Sequence, residues 1–348
     1  MSNNGAALIA KAKAVYGRRI TADEYNAMLH KTTVPQVVSA LKSTPRYRHE
    51  LASVDAQQIH RGQIELLLSK SVFETYMRLC QFVPGNMNGF DSFYVRKIEL
   101  DIILNTIMFL VSGQRDKIII YLPSYMAPYV SFDLMALAGV KSFDDLLKLL
   151  KDTRYYKILK AALPHSAYRA NEKLDFEELS LSLYTDYYKG LLKLTGSGFS
   201  EAESDSLNQA VSRRIALDNL LLIYRMKAYF NRPAEEIKRL ILPFYRGFSR
   251  ANANNIINSR NADKLAADYL NKRMLKGGIE FDENFPEVAA AREDYRFFGG
   301  KLHLSQCGSM VIYSLVRLLE IEKLNIFTVI EGVRYALPAA EIEKLLVV

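Results

Sequence analysis

The sequence predicts an all-helical protein assembled from similar units, and three observations predict it. First, Arg96-Lys97-Ile98-Glu99-Leu100-Asp101-Ile102-Ile103-Leu104 recurs in pattern as Arg213-Arg214-Ile215-Ala216-Leu217-Asp218-Asn219-Leu220-Leu221, 117 positions later. Second, two more words recur in the same order. Leu41–Tyr47 matches Leu150–Tyr156 at an offset of 109, and Asp55–Ile59 matches Asp175–Leu179 at 120. Third, apolar residues fall at three- and four-residue spacings between capping and breaking signals through most of the chain. A tandem series of this kind implies a body made of copies of one supersecondary unit, and such bodies are usually scaffolds or adaptors. A length of 348 residues accommodates two or three units.

The elements follow in order. Ala6–Tyr16 is alanine-rich and continues toward Arg19. Thr21 with Glu24 forms a capping box for a helix to about Lys31. Thr33 and Pro35 open another, with Val37, Val38 and Leu41 inward, stopping at Ser43-Thr44-Pro45. Asp55 is read as the start of a long helix to about Phe82, with Ile59, Leu66, Val72, Phe73 and Tyr76 on one face. Pro84-Gly85-Asn86 breaks it, and Phe90–Val111 follows, ended by Gly113. Ile118–Leu122 is β-rich but has helical neighbours; residues 122–128 read as a linker. Phe132–Ala138 reads as a short helix, and Ser142 caps Phe143–Leu150.

In the second half, Asp175 opens a helix to about Leu194, Gly196-Ser197-Gly198 turns the chain, and Glu201–Tyr229 is very long. Pro233 stands at the first turn of Ala234–Leu242. Ala251–Asn258, Ala262–Lys272, Phe285–Arg296, Gly308–Leu324 with its continuation Ile326–Arg334, and Ala340–Leu346 complete the series. Gly277-Gly278 and Gly299-Gly300 are read as separators.

A third copy of the repeated word is Arg317–Leu324 at an offset of 104, with Glu322 in the aspartate position; a second register sets Leu324-Asn325 against Leu104-Asn105. Three copies divide the chain into helical units 1–120, 121–232 and 233–348. The candidate residues are the recurring charges: Arg96, Arg213 and Arg317 as polar anchors, with Asp101, Asp218 and Glu322 as companions. A carboxylate between aliphatics on a helix is expected to be half-buried and paired within the protein, or to meet a partner protein.

No residues are assigned to catalysis, a cofactor or a metal. His30, His49, His60, His165 and His303 show no paired spacing, Gly196-Ser197-Gly198 follows a helix rather than a strand, and no GxSxG occurs. Cys80 and Cys307 are expected to be buried free thiols, and two cysteines cannot supply a four-ligand zinc site. The longest apolar runs, Ile98–Val111 and Leu304–Leu319, are charged and too short for a bilayer, so a soluble protein without a leader is expected. The net charge of +8, from 46 basic and 38 acidic residues, demands no particular partner. Residues 225–276 are locally basic, with Arg225, Lys227, Arg232, Lys238, Arg239, Arg246, Arg250 and Arg260. A nucleic-acid-binding face or a helical adaptor for another complex is therefore an alternative reading.

Ala10–Leu41, with Ala14-Val15-Tyr16-Gly17-Arg18 and Thr21-Ala22-Asp23-Glu24-Tyr25, resembles the opening of the C/d-subunit family of V-type and A-type ATPases, the prokaryotic form more closely. Leu41–Tyr47, Glu99–Asn105, Arg213–Arg225 and Glu320–Gly332 are similar to its later words in the family's order. The resemblance implies a non-catalytic funnel of three helical-bundle domains with pseudo-threefold symmetry. It implies a central-stalk subunit that receives the D/F-type rotor-shaft subunits and caps the membrane proteolipid ring, passing torque between ATP chemistry and ion transport. It further implies one copy per complex, no bound nucleotide or nucleic acid, and a cytoplasmic, membrane-peripheral location. Residues 117–128 and 252–261 match no family word.

Overall fold

The computed structural model describes residues 3–59, 61–83, 89–162, 175–196 and 199–348. The expected break at Pro84-Gly85-Asn86, the Ser197-Gly198 turn, and His60 and His165 lie outside them. The described residues contain helices and turns and no strand. The α-helices are α1 (Asn3–Tyr16), α2 (Ala22–Leu29), α3 (Val34–Ser43), α4 (Arg61–Cys80), α5 (Phe93–Val111), α6 (Lys117–Ile120), α7 (Phe143–Leu149) and α8 (Arg154–Ala162). They continue as α9 (Phe176–Thr195), α10 (Glu201–Ala228), α11 (Ala234–Leu240), α12 (Arg250–Ile257), α13 (Ala262–Tyr269), α14 (Pro286–Leu304), α15 (Gly308–Arg334) and α16 (Ala339–Lys344).

Local chemistry sets many of these starts. Thr21 Oγ1 accepts from Glu24 N at 3.2 Å while the Glu24 carboxylate accepts from Thr21 N at 2.8 Å, the reciprocal capping box that opens α2. Ser142 and Asp145 do the same for α7. Asp175 caps α9 through Glu178 N at 3.1 Å. Such caps satisfy backbone N–H groups that the first helical turn leaves unpaired.

Elsewhere the structure departs from the sequence reading. Asp55 does not open a helix: its Oδ1 accepts from Gln57 N at 2.9 Å in a turn, and α4 begins at Arg61. Aspartate has this alternative because its short side chain bonds the backbone two residues on. The β-rich 118–122 run contributes one helical turn, α6. The expected helix 132–138 is a tight three-residue-per-turn segment, Met135–Gly139. α8 occupies residues to which the sequence reading assigns no element. Gly299-Gly300 lies inside α14, where two glycines cost roughly 1 kcal/mol each in propensity. The long contact of α14 with its hairpin neighbour α15 outweighs that cost.

The chain packs as two compact units, one of residues 1–85 with 264–348 and one of residues 86–263. In the first, α15 is the central helix, against α14, α1, α4, α3 and α2. Its Ile326, Val329, Ile330 and Val333 meet Tyr25, Val37, Val38, Leu41, Leu51, Ile64 and Leu68 from the chain's opening, and Ile342 from α16. Two glycines permit close approach. A Cβ on Gly308 would lie 2.9 Å from Leu8 Cδ2, and one on Gly332 would lie 2.5 Å from Ile342 Cγ1. In the second unit, α9 is the hub, packed on α5, α8, α10 and α11.

Candidate functional site

Each unit contains one buried glutamate that ties a long helix to a loop and a tyrosine. On α5, Glu99 Oε1 accepts from Ser131 N at 2.5 Å and Oε2 from Tyr155 OH at 2.7 Å. On α15, Glu322 Oε2 accepts from Ile20 N at 2.9 Å and Oε1 from Tyr47 OH at 2.9 Å. The two clasps share one design: a carboxylate, one backbone N–H and one tyrosine that follows an arginine. Arg46 Nε stands 3.8 Å from Glu322 Oε1. Burial pushes the Glu322 carboxyl above its usual range, opposed by the Ile20 N–H, the Arg46 charge and the Tyr47 hydroxyl. Burial, followed by the facing carboxylate, raises both Tyr47 and Tyr155. A cleft of about 220 Å³ adjoins Glu322, with Tyr16, Arg19, Tyr25 and Tyr295 among its walls.

A second device recurs three residues along. Asn325 donates to Val347 O at 2.7 Å and accepts from Val347 N at 3.0 Å. Asn219 on α10 treats Leu242 the same way, at 2.9 and 2.8 Å. Each amide satisfies both backbone groups of one buried residue. These equivalences align Glu99, Ala216 and Glu322, and then Ile102, Asn219 and Asn325. The third copy of the word is thereby in register two residues away from the one Arg317 and Glu322 gave, 106 positions after the second.

A third recurrence lies at the ends of the long helices. α5, α10 and α15 each stop at a left-handed residue: Gly113 (φ 71°), Asn231 (φ 45°) and Ala336 (φ 54°). The next N–H reaches back five or six residues, from Gln114 to Phe109 O, Arg232 to Met226 O and Leu337 to Gly332 O, each at 2.9 Å. Such closure satisfies carbonyls the helix end leaves open. A short helix then buries one isoleucine: Ile118, Ile237 or Ile342.

The six sequence-derived candidates fall around these devices. Asp101 pairs with Lys97 at 2.5 Å and Asp218 with Arg214 at 2.5 Å, both one turn back on the same helix. Tyr188 OH also donates to Asp218, at 3.3 Å. Arg96 lies beside Gly190 and Tyr155. Arg317 pairs across to the buried Asp294 of α14 at 3.0 Å. Arg213 is half-buried on α10. Glu322 alone of the six belongs to a clasp. Glu99, Tyr47, Tyr155, Asn219 and Asn325 stand inside or beside the recurring words but are not among the sequence-derived candidates. An offset of 108 rather than 109 sets Arg46-Tyr47 on Arg154-Tyr155 and exposes the tyrosine half of the clasp.

Much of the positive charge of residues 225–276 is locally compensated. Arg232 pairs with Glu236 and Glu177, Lys238 with Glu235, Arg246 with Asp205, and Lys272 with Asp268. No group of three or more potential metal ligands occurs among the described residues. Among them, no helix is long and apolar enough to cross a membrane. Cys80 and Cys307 are not joined in a disulfide and are half-buried rather than fully buried.

An all-helical chain whose buried polar side chains hold backbone segments together is a helical scaffold. More particularly, it belongs to the ATP synthase (C/AC39) subunit family, whose model matches residues 8–345. It is 25% identical over 234 residues to the C subunit of the A-type ATP synthase of Pyrococcus horikoshii, an alignment covering 67% of this chain and 59% of the relative. The C subunit of the A-type ATP synthase of Desulfurococcus sp. (strain SY) is 23% identical over 234 residues, covering 67% of this chain and 60% of the relative. The alignments thus span about three fifths of the length of these curated relatives.

Proposed function

We propose that the chain is a non-catalytic coupling subunit of the central stalk of an A/V-type ATPase. It joins D/F-type rotor-shaft subunits to the membrane proteolipid ring and passes torque between them, one copy per complex, without binding nucleotide or nucleic acid. It works peripherally at the cytoplasmic side of the membrane, where the complex couples ATP hydrolysis or synthesis to ion transport. The observation that carries this reading is family membership across residues 8–345. The clasps support it physically. A torque-bearing part needs a shape that does not yield, and close-packed helices locked by buried backbone-directed bonds deform little.

Three similar units, 1–120, 121–232 and 233–348, around a pseudo-threefold funnel complete the proposal. The thrice-repeated long helix, left-handed corner and short helix with a buried isoleucine support it. The six charges Arg96, Asp101, Arg213, Asp218, Arg317 and Glu322 act chiefly in packing. Retention on immobilised shaft subunits tests the reading: the protein is retained at low and moderate salt, and absence of retention at low salt refutes it.

A further inference from the structure

Two stretches without acids meet in the unit that joins the ends of the chain. Residues 3–22 carry Lys11, Lys13, Arg18 and Arg19 and no acid. Residues 295–319 carry Arg296, Lys301, His303 and Arg317 and no acid. The structure lays one against the other. Lys13 Nζ donates to His303 O at 2.9 Å, the Tyr16 and His303 rings meet edge to face at 5.6 Å, and α1 packs on α15. Arg296 and Arg317 pair with Glu293 and Asp294. Those two acids are buried, as is Glu322, which feels the charge of Arg19. The remaining contacts of the cations leave their charge in place. Lys13 has a carbonyl, Lys11 the Phe82 ring at 4.5 Å, and Arg19 the Tyr16 ring at 4.5 Å. Lys11, Arg18 and Arg19 are exposed. Next to the carbonyl that holds Lys13, at the end of α14, stands Leu304. It is 82% exposed, more than any other large apolar side chain among the described residues.

We propose that this face, the turn between α14 and α15 with the adjoining side of α1, rests on the anionic headgroups of a lipid bilayer. The inference goes beyond the coupling reading and does not depend on it. That reading brings the protein to a membrane through other subunits, whereas this face gives it a lipid contact of its own. Cations whose charge is not neutralised within the protein call for an anionic partner. Leu304 selects among such partners. An aliphatic side chain projecting at a helix end gains nothing from a row of phosphates, and an acidic protein would have to supply a pocket for it. A bilayer presents both chemistries in layers, phosphates level with the lysines and acyl chains just beneath for the leucine.

Cosedimentation with protein-free vesicles tests the proposal. One set is pure phosphatidylcholine and the other also contains phosphatidylglycerol. Wild type is carried down by the anionic set at low salt, is released at high salt, and is not carried down by the neutral set. K11Q/R18Q binds the anionic vesicles about thirtyfold more weakly, five- to sixfold for each cation. L304S binds them about tenfold more weakly. R239Q/R260Q removes two exposed cations from another part of the chain and binds as wild type does. All these variants alter exposed side chains, and thermal melting checks that each is folded. The proposal is overturned if wild type binds neither set or both equally, or if the R239Q/R260Q control weakens as much as K11Q/R18Q. Unchanged binding by K11Q/R18Q or by folded L304S overturns it too. Tighter capture of a short DNA duplex than of the anionic vesicles assigns the face to nucleic acid instead. Should L304S fail to fold, K11Q/R18Q and its control decide.

Discussion

Glu322 is the residue on which the first unit's polar interior turns. Its folded pKa is raised above the unfolded value by burial. Its protonated form is therefore the one favoured by folding. The stability linked to this proton is fully present below the unfolded pKa of about 4.3 and is lost as pH rises through the raised folded value. Glu322→Gln removes the titration while keeping an acceptor for Ile20 N. Melting of the pair from pH 4 to pH 8 should show the variant gaining on wild type with rising pH; a constant difference contradicts the assignment. Asn325→Ala is a harsher change. It leaves the N–H and C=O of Val347 buried without partners and should lower stability by about 2–3 kcal/mol in denaturant titration. Asn219→Ala should do the same through Leu242. The sequence displays these residues without marking them. Asp101 and Asp218 stand out because they recur, yet Lys97 and Arg214 neutralise them at the surface of their own helices. Glu99 and Glu322 each hold a loop N–H and a tyrosine from elsewhere in the chain, and the second copy has Ala216 at their position, which hides the pattern.

Several helices are legible from the caps that announce them. Thr21 with Glu24, Ser142 with Asp145, and Asp175 all act as the sequence states. The departures have separate causes. Asp55 opens a turn because its own side chain takes Gln57 N, and Gly299-Gly300 is continued as helix because α15 lies alongside. The approach of α16 to α15 is equally invisible in the sequence, since it depends on what Gly332 lacks. Gly332→Ala places a methyl 2.5 Å from Ile342 Cγ1 and should cost about 1–3 kcal/mol. Faster amide exchange across residues 339–347 is the measurable sign that α16 has loosened. Unchanged exchange there would show that Ile342 can move aside freely.

At the scale of the whole molecule, the repeat in the sequence anticipates the recurring long helices and their order. It does not show which residue of each copy faces which neighbour, because that depends on pairings far apart in the chain. Those pairings also set an order of assembly. The unit of residues 86–263 is one uninterrupted stretch, whereas the other unites residues 1–85 with 264–348. Helices α2 and α3 bury Tyr25, Val37, Val38 and Leu41 against side chains of α15 nearly three hundred positions later. On the ribosome, α2 and α3 therefore emerge well before the helix they pack on. A released fragment of residues 1–85 should show the circular dichroism of a largely unfolded chain and gain helix when mixed with residues 264–348. The middle of the protein can finish folding while its opening still awaits a partner from its own far end, leaving apolar helices in need of a chaperone for most of synthesis.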